Sequence, residues 1–494
     1  MESQGQLPAA CPSGQRSKNI DIKRKSNHKR LNEIAADSQV GGSLPSNPEE
    51  ESFLSNLELD DKSIGPPSST RGSVDQEVEN DSSSCSNDEE DPLPIRKLTK
   101  ALPPGTCSKN RFFTDEEWHS RVHRVQKEMI GDNIDVLIIT TPANIMWLSG
   151  FHTTGYYYFQ CMVVPANEEP FLMVRSMEGT GVQTRTCIQH CYVFQDTEDP
   201  IDMLTTIIKR RICNKERIGF EEDSYFFPSK QQKQFKSALH DKQFVDCSGV
   251  IERCRKTKSP AEIEVMKLAA KATEAAMEAG QNAIKVGNTE NDVASEVYRA
   301  AFKAGGEYPA CPSFVASGPR GYIGHATWEG RELAEGDTVF LEIGGCKYRY
   351  HTAMMRTAYI GWEIPAKLKE FEQIFDRCLT ECMQAMKPGV LVKDIDRLSK
   401  EIINSNSYGI VNKNRFGYSL GVAFSPGWGE ETVMSLDGNN ETPLENGMCF
   451  HLIPFIMLDE GTVGISETVR VTPDGAISFF NYPRNIKLIH PDET

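Results

Sequence analysis

The sequence predicts an α+β protein with two folded domains: an α/β domain comes first, and in the second domain helices precede clustered β-hairpins. Buried-strand and helical patterns alternate between residues 112 and 254. Two helical patterns follow from residue 259, and a run of strand patterns begins at residue 338. The length of 494 residues exceeds what one hydrophobic core serves and fits two domains with a tail.

The first 107 residues are predicted to be a disordered, low-complexity tail. They are rich in Ser, Asn, Asp, Glu, Lys and Pro, with little apolar periodicity. Such a segment buries too little apolar surface to offset the entropy lost on ordering. A basic cluster at residues 23–30 is compatible with a nuclear import signal, and a solvated tail explains it equally well.

The composition favours a soluble, reduced, cytoplasmic protein, with the nucleus as the alternative. A net charge of -16 would be repelled by nucleic acid and by anionic membranes, so we expect neither as a partner. The N-terminus has no apolar core of signal-peptide length, and no stretch approaches the roughly 20 apolar residues of a membrane helix. The 14 cysteines are scattered, without CxxC pairs at zinc spacing.

The first folded domain is predicted to span residues 108–255. A capping box at residues 114–117 opens a helix whose apolar residues recur at helical spacing from Trp118. A buried strand is expected at residues 135–140. Further strands are expected at 162–165 and 171–174, and helices at 201–211 and 229–239.

The second domain, residues 256–494, begins at a clear seam. Ser259 is a helix N-cap, Pro260 suits the first helical position and Glu262 the third, so a helix is expected from there toward Ile284. Strands are then expected at residues 338–343, 348–351, 354–360, 448–457 and 465–471, and helices at 365–386 and 394–407.

Three stretches resemble signatures of the creatinase/aminopeptidase, or pita-bread, superfamily. They are residues 255–264 (RKTKSPAEIE), residues 338–345 (TVFLEIGG) with Arg356 and Thr357, and residues 446–454 (NGMCFHLIP) with 464–468 (GISET). The resemblance covers about residues 112–482. It implies a creatinase-like N-terminal α/β domain, a C-terminal pita-bread domain and a homodimer, which is common in this fold.

The superfamily's metallopeptidases bind two metal ions through two Asp, one His and two Glu. The matching positions here hold, in order, Glu342, Ala353, Tyr418, Ile453 and Glu467. Two carboxylates without a His cannot build two adjacent metal sites, so we expect no metal and no other cofactor. In creatinase, a metal-free member, the catalytic His matches His325, but its two Glu positions fall on Met355 and Ile453, which disfavours creatine hydrolysis.

A narrower set of motifs is similar to the ectoine hydrolase subgroup. It comprises residues 340–346, 417–421, 426–432 (PGWGEET) and 448–451 in the second domain, and 147–151 and 157–161 in the first. Ectoine hydrolases open a cyclic amidine to an N-acetylated diaminobutyrate without the usual dinuclear centre. The resemblance therefore implies a small cyclic amidine as substrate. Two departures are the apolar residues 453–456 and the long tail.

Glu342 is the first candidate catalytic residue. Strand alternation places it on one face with Phe340 and Gly344, where partial desolvation would raise its pKa. Amidine hydrolysis needs either a carboxylate that attacks the ring carbon or a base that activates water. In the resemblance, the Glu of this motif is the central catalytic residue. The alternative is a solvent-facing strand Glu.

Two further residues are candidates for proton transfer and charge balance. His325, on a glycine-containing loop, suits a proton shuttle because imidazole titrates near working pH; the alternative is an ordinary surface His. Glu467 would face the pocket from the last hairpin and balance the amidinium charge. Its alternative is an ion pair with Arg356 or Arg470.

Four residues are candidates for substrate binding. Tyr418 could donate a hydrogen bond to a substrate carboxylate, and Trp428 offers a flat face to a cationic ring. Glu430 could accept from the ring nitrogens, and Tyr156, with Tyr157 and Tyr158, could form an aromatic wall, in this chain or from a partner subunit. The alternatives are packed core tyrosines and a loop anchored by one buried Trp.

Three hypotheses for function follow. The first is a metal-independent hydrolase of C–N bonds in a small cyclic amidine. The second is a catalytically silent pita-bread module that binds a peptide or protein, as in the histone-chaperone relatives of this superfamily; the basic-then-acidic tail suits it. The third is a divergent Xaa-Pro metallopeptidase.

Overall fold

The computed structural model describes Lys97, residues 112–212 and residues 214–492. Apart from Lys97, the predicted tail of residues 1–107, with its basic cluster, lies outside the described residues. None of the described helices combines the length and the apolar character that crossing a membrane requires.

The first domain is a mixed six-stranded sheet with helices, in the strand order β4-β3-β2-β1-β5-β6. Its strands are β1 (Val136–Ile139), β2 (Cys161–Pro165), β3 (Phe171–Arg175), β4 (His190–Phe194), β5 (Arg217–Phe220) and β6 (Gln243–Asp246). Its helices are α1 (Asp115–Gly131), α2 (Pro142–Ser149), α3 (Gly179–Arg185), α4 (Pro200–Arg211), α5 (Ser229–Ala238) and α6 (Val250–Arg255). The predicted α/β class is confirmed for this domain.

Glu117 joins the first helix to the start of the second domain. Thr114 caps α1 by accepting from the backbone N–H of Glu117, as predicted. The second half of the predicted capping box is not formed: the Glu117 carboxylate does not bond to Thr114 N–H but accepts from Arg121 and from Ser259 Oγ, at 2.8 Å for Ser259. Ser259 and Glu262 form the predicted reciprocal capping box. Two helix N-termini are therefore joined through one carboxylate.

The second domain contains helices and three sheets, as the α+β prediction requires. Its helices are α7 (Pro260–Asn282), α8 (Glu290–Lys303), α9 (Ala366–Ala385) and α10 (Val392–Ile403). Its strands are β7 (Phe314–Ser317), β8 (Thr338–Lys347), β9 (Tyr350–Ile360), β10 (Gly417–Ser419), β11 (Ser435–Leu436), β12 (Cys449–Leu452), β13 (Phe455–Leu458), β14 (Gly461–Gly464), β15 (Glu467–Thr472), β16 (Gly475–Ser478) and β17 (Lys487–Ile489). The sheet orders are β17-β9-β8-β7, β11-β10-β12-β15-β16 and β13-β14.

Strands β8 and β9 form one long hairpin where the sequence predicted three short strands. The turn is at Tyr348 and Arg349, both in the left-handed region with φ of 47° and 61°. Two consecutive left-handed residues match the twist of a tight hairpin. The apolar pattern is interrupted because β9 buries the polar residues His351 and Thr352, both at 0% exposure.

The hairpin is joined to the five-stranded sheet by side-chain hydrogen bonds. Met355 N donates to Ser466 Oγ at 2.6 Å, and Ala353 N donates to Thr468 Oγ1 at 2.9 Å. The side chains of Ser466 and Thr468 therefore point at β9. This contact fixes which side chains of the two sheets can meet in the space between them.

Candidate active site

A cavity of about 640 Å³ opens between β8–β9, the loop after β7 and the loop after β10. Its volume lies within the roughly 300–1,000 Å³ of small-molecule sites. Aromatic side chains form much of its wall, and a carboxyl group lies on the β8 side. The residues used below are Phe314, His325, Glu342, Arg415, Tyr418 and Trp428.

Glu342 lies on β8 and points into this cavity, on the same face as Phe340, as strand alternation predicted. The Glu342 side chain is buried, and none of the described residues donates a hydrogen bond to its carboxyl group. Burial raises the pKa of Glu342 to about 8. A buried carboxyl without a partner is costly to ionise, so a ligand that brings a cation or N–H donors would stabilise the charged form.

Trp428 and Tyr418 form one wall of the cavity. The indole Nε1–H of Trp428 donates to Tyr418 Oη at 3.0 Å, and the Trp428 ring lies 5.4 Å from that of Phe314. A Cβ at Gly344 would lie 2.6 Å from the Trp428 ring, so only glycine leaves room for the indole there. The position of Trp428 is thus set by one hydrogen bond and by the missing side chain of Gly344.

A buried His lies behind Tyr418. His451 Nδ1 is 2.9 Å from Tyr418 Oη, and its Nε2 is 2.7 Å from Ser466 Oγ. Burial lowers the pKa of His451 to about 3, so the imidazole is neutral. His451 was not assigned a role from the sequence. The available signal was its position two residues before Ile453, which the superfamily resemblance placed at the site.

The rim of the cavity carries two basic side chains. His325 is exposed, has a left-handed backbone with φ of 59°, and its ring lies 5.2 Å from that of Phe314. Arg415, which was not predicted from the sequence, pairs with the exposed Glu431 at 2.6 Å. The Arg415 guanidinium also lies 4.8 Å from the centroid of the Tyr418 ring. Arg415 and the Glu342 carboxyl group therefore line the same cavity.

The structure corrects the expected placement of Glu467, which does not line the cavity. Ser466 and Thr468 point at β9, so alternation turns Glu467 to the opposite face of β15. There Glu467 pairs with the buried Arg356 at 2.8 Å and with Arg484 at 3.2 Å. The ion pair with Arg356 was the alternative left open by the sequence.

Glu430 and Tyr156 are also not brought to the cavity. The buried Glu430 carboxylate pairs with Lys258 at 2.7 Å and with Arg255, which also donates to Asn144 Oδ1. These contacts use both Glu430 oxygens, so the expected bond to a substrate nitrogen is not available. Tyr156 packs against Phe424 in the same chain, at a ring distance of 5.3 Å. Whether a partner subunit adds tyrosines stays a prediction.

The residues present do not fit the superfamily's dinuclear metal centre. With Glu467 turned away, the strand position that faces the cavity side holds Ser466, and the other matching positions hold Glu342, Ala353, Tyr418 and Ile453. Within residues 112–212 and 214–492, no three His, Cys, Asp or Glu side chains are grouped so that they could hold an ion. One free carboxyl group cannot supply the four or more ligands that each such ion needs.

Comparison with known proteins finds a matching family for each of the two domains. The profile of the creatinase/prolidase N-terminal domain matches residues 121–257, and that of metallopeptidase family M24 matches residues 264–473. The ectoine hydrolase of Halomonas elongata is 31% identical over 394 residues, which cover 76% of this chain and 98% of that protein.

Solved structures show the same fold. The prolidase of Pyrococcus horikoshii has a TM-score of 0.65 at 23% identity, over 74% of this chain and 99% of the prolidase. The X-Pro aminopeptidase of Thermotoga maritima has a TM-score of 0.64 at 23% identity, over 74% of this chain and 99% of that chain.

Proposed function

This chain belongs to the M24 metallopeptidase family of hydrolases, with a creatinase/prolidase N-terminal domain, and we propose that it opens a small cyclic amidine without a bound metal pair, as an ectoine hydrolase would. The observation that carries the proposal is Glu342, a buried carboxyl group in the cavity with no donor from the described residues. The similarity to the Halomonas elongata enzyme supports the same substrate class.

The charges of the cavity suit a zwitterionic substrate. An amidinium is a planar cation with N–H donors, and its charge would offset the desolvation of the Glu342 carboxylate. The face of Trp428 would attract the same cation. Arg415 at the mouth would pair with a substrate carboxylate in exchange for the exposed Glu431. A ring that carries both an amidinium and a carboxylate would interact with Glu342, Trp428 and Arg415 together.

Glu342 can act by either of two routes. As a nucleophile, its Oε attacks the amidine carbon, and water then hydrolyses the acyl adduct. As a base, it takes a proton from a water whose oxygen attacks the same carbon. Both routes require the ionised carboxylate, and both end with a C–N bond broken, its electron pair on nitrogen and a proton added there. His325, exposed at the rim, would exchange protons between the cavity and solvent.

The direct test is turnover of ectoine and 5-hydroxyectoine by the purified full-length chain. We expect ring opening to N-acetylated diaminobutyrates, seen by mass spectrometry, with an unchanged rate after exhaustive chelation. A Xaa-Pro dipeptide serves as the contrasting substrate. Dipeptide cleavage that depends on added metal would establish a metallopeptidase instead. A folded protein that turns over neither class would favour the silent module.

The raised pKa of Glu342 predicts a pH profile. Because kcat/KM reports the free enzyme, it should rise with pH up to about 8, where Glu342 becomes ionised. The rise of kcat with pH should occur at lower pH than the rise of kcat/KM, because the bound amidinium stabilises the Glu342 carboxylate. The rise should persist in His325→Gln. Its loss in that variant would assign the titration to His325 and contradict the prediction.

A further inference from the structure

Four polar side chains form a chain of hydrogen bonds that ends at the cavity. Trp428 Nε1–H donates to Tyr418 Oη, Tyr418 Oη is 2.9 Å from His451 Nδ1, and His451 Nε2 is 2.7 Å from Ser466 Oγ. At the far end the backbone N–H of Met355 donates to Ser466 Oγ. Both ends of the chain are closed by groups that only donate.

The hydrogens within this chain can be counted. Tyr418 has one hydroxyl hydrogen, Ser466 has one, and the neutral His451 ring has one. Two hydrogen bonds, Tyr418 to His451 and His451 to Ser466, need two of the three. One hydrogen is therefore left over, and it belongs to Tyr418 or to Ser466.

The surroundings decide where the extra hydrogen lies. If Tyr418 donated to His451, the hydrogen of Ser466 would be left over, and Ser466 is 0% exposed with no second acceptor against its hydroxyl within the described part of the chain. A buried donor without a partner costs free energy. If Ser466 donates to Nε2 and His451 Nδ1–H donates to Tyr418, the Tyr418 hydrogen is left over. Tyr418 lines the cavity beside Glu342, where substrate or water can accept it.

We propose that Tyr418 is the proton donor to the departing ring nitrogen, and that His451 is a positioning residue whose Nδ1–H keeps the Tyr418 hydrogen free for this task; the inference rests on the proposed amidine hydrolysis. As the ring C–N bond breaks, its electron pair stays on nitrogen, and the Tyr418 Oη proton moves to that nitrogen. When water attacks the amidine carbon, the phenolate regains a proton from the water-derived hydroxyl as this becomes the amide carbonyl. When Glu342 attacks first, the phenolate regains a proton from the water that hydrolyses the adduct.

Two N–H donors stabilise the phenolate that forms in this step. Trp428 Nε1–H points at Tyr418 Oη, and in the proposed tautomer His451 Nδ1–H does too, so charge develops on an oxygen whose donors need not reorganise. This geometry also gives Trp428 a role in the protonation step, in addition to its wall position.

The tautomer of His451 can be measured without any substrate. In protein with ¹⁵N-labelled histidine, the ring shifts of His451, assigned by their loss in His451→Asn, should show a protonated Nδ1 and an unprotonated Nε2 near neutral pH. A protonated Nε2 would overturn the inference. This measurement stands even if ectoine is not a substrate, so it separates failure of the inference from failure of the proposed function.

A matched pair of variants tests the catalytic consequence. The Asn side chain can place an N–H where Nδ1 lies, whereas the Gln amide reaches the Nε2 position instead. We expect Tyr418→Phe and His451→Gln to lower kcat on the order of 100-fold or more with little change in KM, and His451→Asn to keep kcat within about tenfold of wild type. Equal loss in folded Asn and Gln variants, or wild-type kcat in Tyr418→Phe, would overturn the proposal.

Discussion

Glu342→Gln is expected to abolish ring opening and, at the same time, to stabilise the protein. The amide is nearly the same size as the carboxyl, but it can neither attack the ring carbon nor accept a proton, so we expect a loss of at least about 1,000-fold in kcat. Steady-state turnover of ectoine, wild type beside variant, measures it. Comparable turnover by the two would remove Glu342 from its role.

The expected gain in stability follows from the raised pKa of Glu342. The folded state binds the Glu342 proton more tightly than the unfolded state, because the pKa rises from 4.5 to about 8 on folding. The wild type therefore loses stability as pH rises from about 4.5 through 8, whereas Glu342→Gln has no such titration. The difference should approach roughly 4 kcal/mol near pH 8, because each tenfold difference in proton affinity between the two states contributes about 1.4 kcal/mol.

Urea unfolding at pH 5 and pH 8 checks this difference. Glu431→Gln, at an exposed carboxylate on the rim of the same cavity, is the matched control and should show no comparable growth with pH. A Glu342→Gln variant that is less stable than wild type at pH 8 would mean that a donor satisfies the carboxylate in solution.

Isotope labelling detects attack by Glu342 when water then hydrolyses the adduct at the Glu342 carboxyl carbon. In a single turnover in H₂¹⁸O, water attack puts ¹⁸O in the amide product. Attack by Glu342 followed by hydrolysis at the carboxyl carbon of the adduct would instead leave ¹⁸O in the Glu342 side chain, which peptide mass spectrometry detects. Label in neither would contradict hydrolysis.

The second large effect is expected at Glu467, on stability rather than on chemistry. Arg356 is 0% exposed and pairs with Glu467 at 2.8 Å. Glu467→Gln would leave that guanidinium buried without a carboxylate, although backbone carbonyls remain around it. Removing one partner of a buried pair costs about 3–5 kcal/mol. Chemical unfolding at pH 7 measures this loss.

Activity of the folded Glu467→Gln fraction distinguishes the structural role from a catalytic one. We expect kcat per folded molecule to stay close to wild type, because Glu467 lies on the face of β15 opposite Ser466. Glu441→Gln, in an exposed pair with Lys393, is the control and should leave stability nearly unchanged. Full stability with lost kcat in Glu467→Gln would return Glu467 to the site.

The predictions agree with the structure where local interactions along the chain decide the outcome. They fail where contacts between distant parts of the sequence decide it. The direction in which the Glu342 side chain points was predictable, because the alternation of side chains along a strand is local and has a period of two residues. The direction of the Glu467 side chain depends on the register of β15 against β9 and β12. A shift of that register by one residue turns every side chain of the strand to the other face. The predicted placement of Glu467 at the site was wrong by one residue, because Ser466 holds the position on the cavity side.

Other residues could not be placed because their partners are distant in sequence. Glu430 is neutralised by Arg255 and Lys258, more than 170 residues earlier in the chain. His451 contacts Tyr418 on β10 and Ser466 just before β15, and these two partners define what its side chain does. A strand pattern predicts that such a residue is buried, but it does not identify what the side chain meets there.

Arg255 links the first domain to the loop that carries Trp428. Arg255 closes α6 and bridges Asn144 in the first domain to Glu430, two residues after Trp428. No described residue of the first domain lines the cavity itself. Substitutions on α2 are nevertheless expected to reach the loop that carries Trp428 by way of this bridge. We therefore expect that changes around Asn144 can alter the wall of the cavity while every residue that lines it is retained.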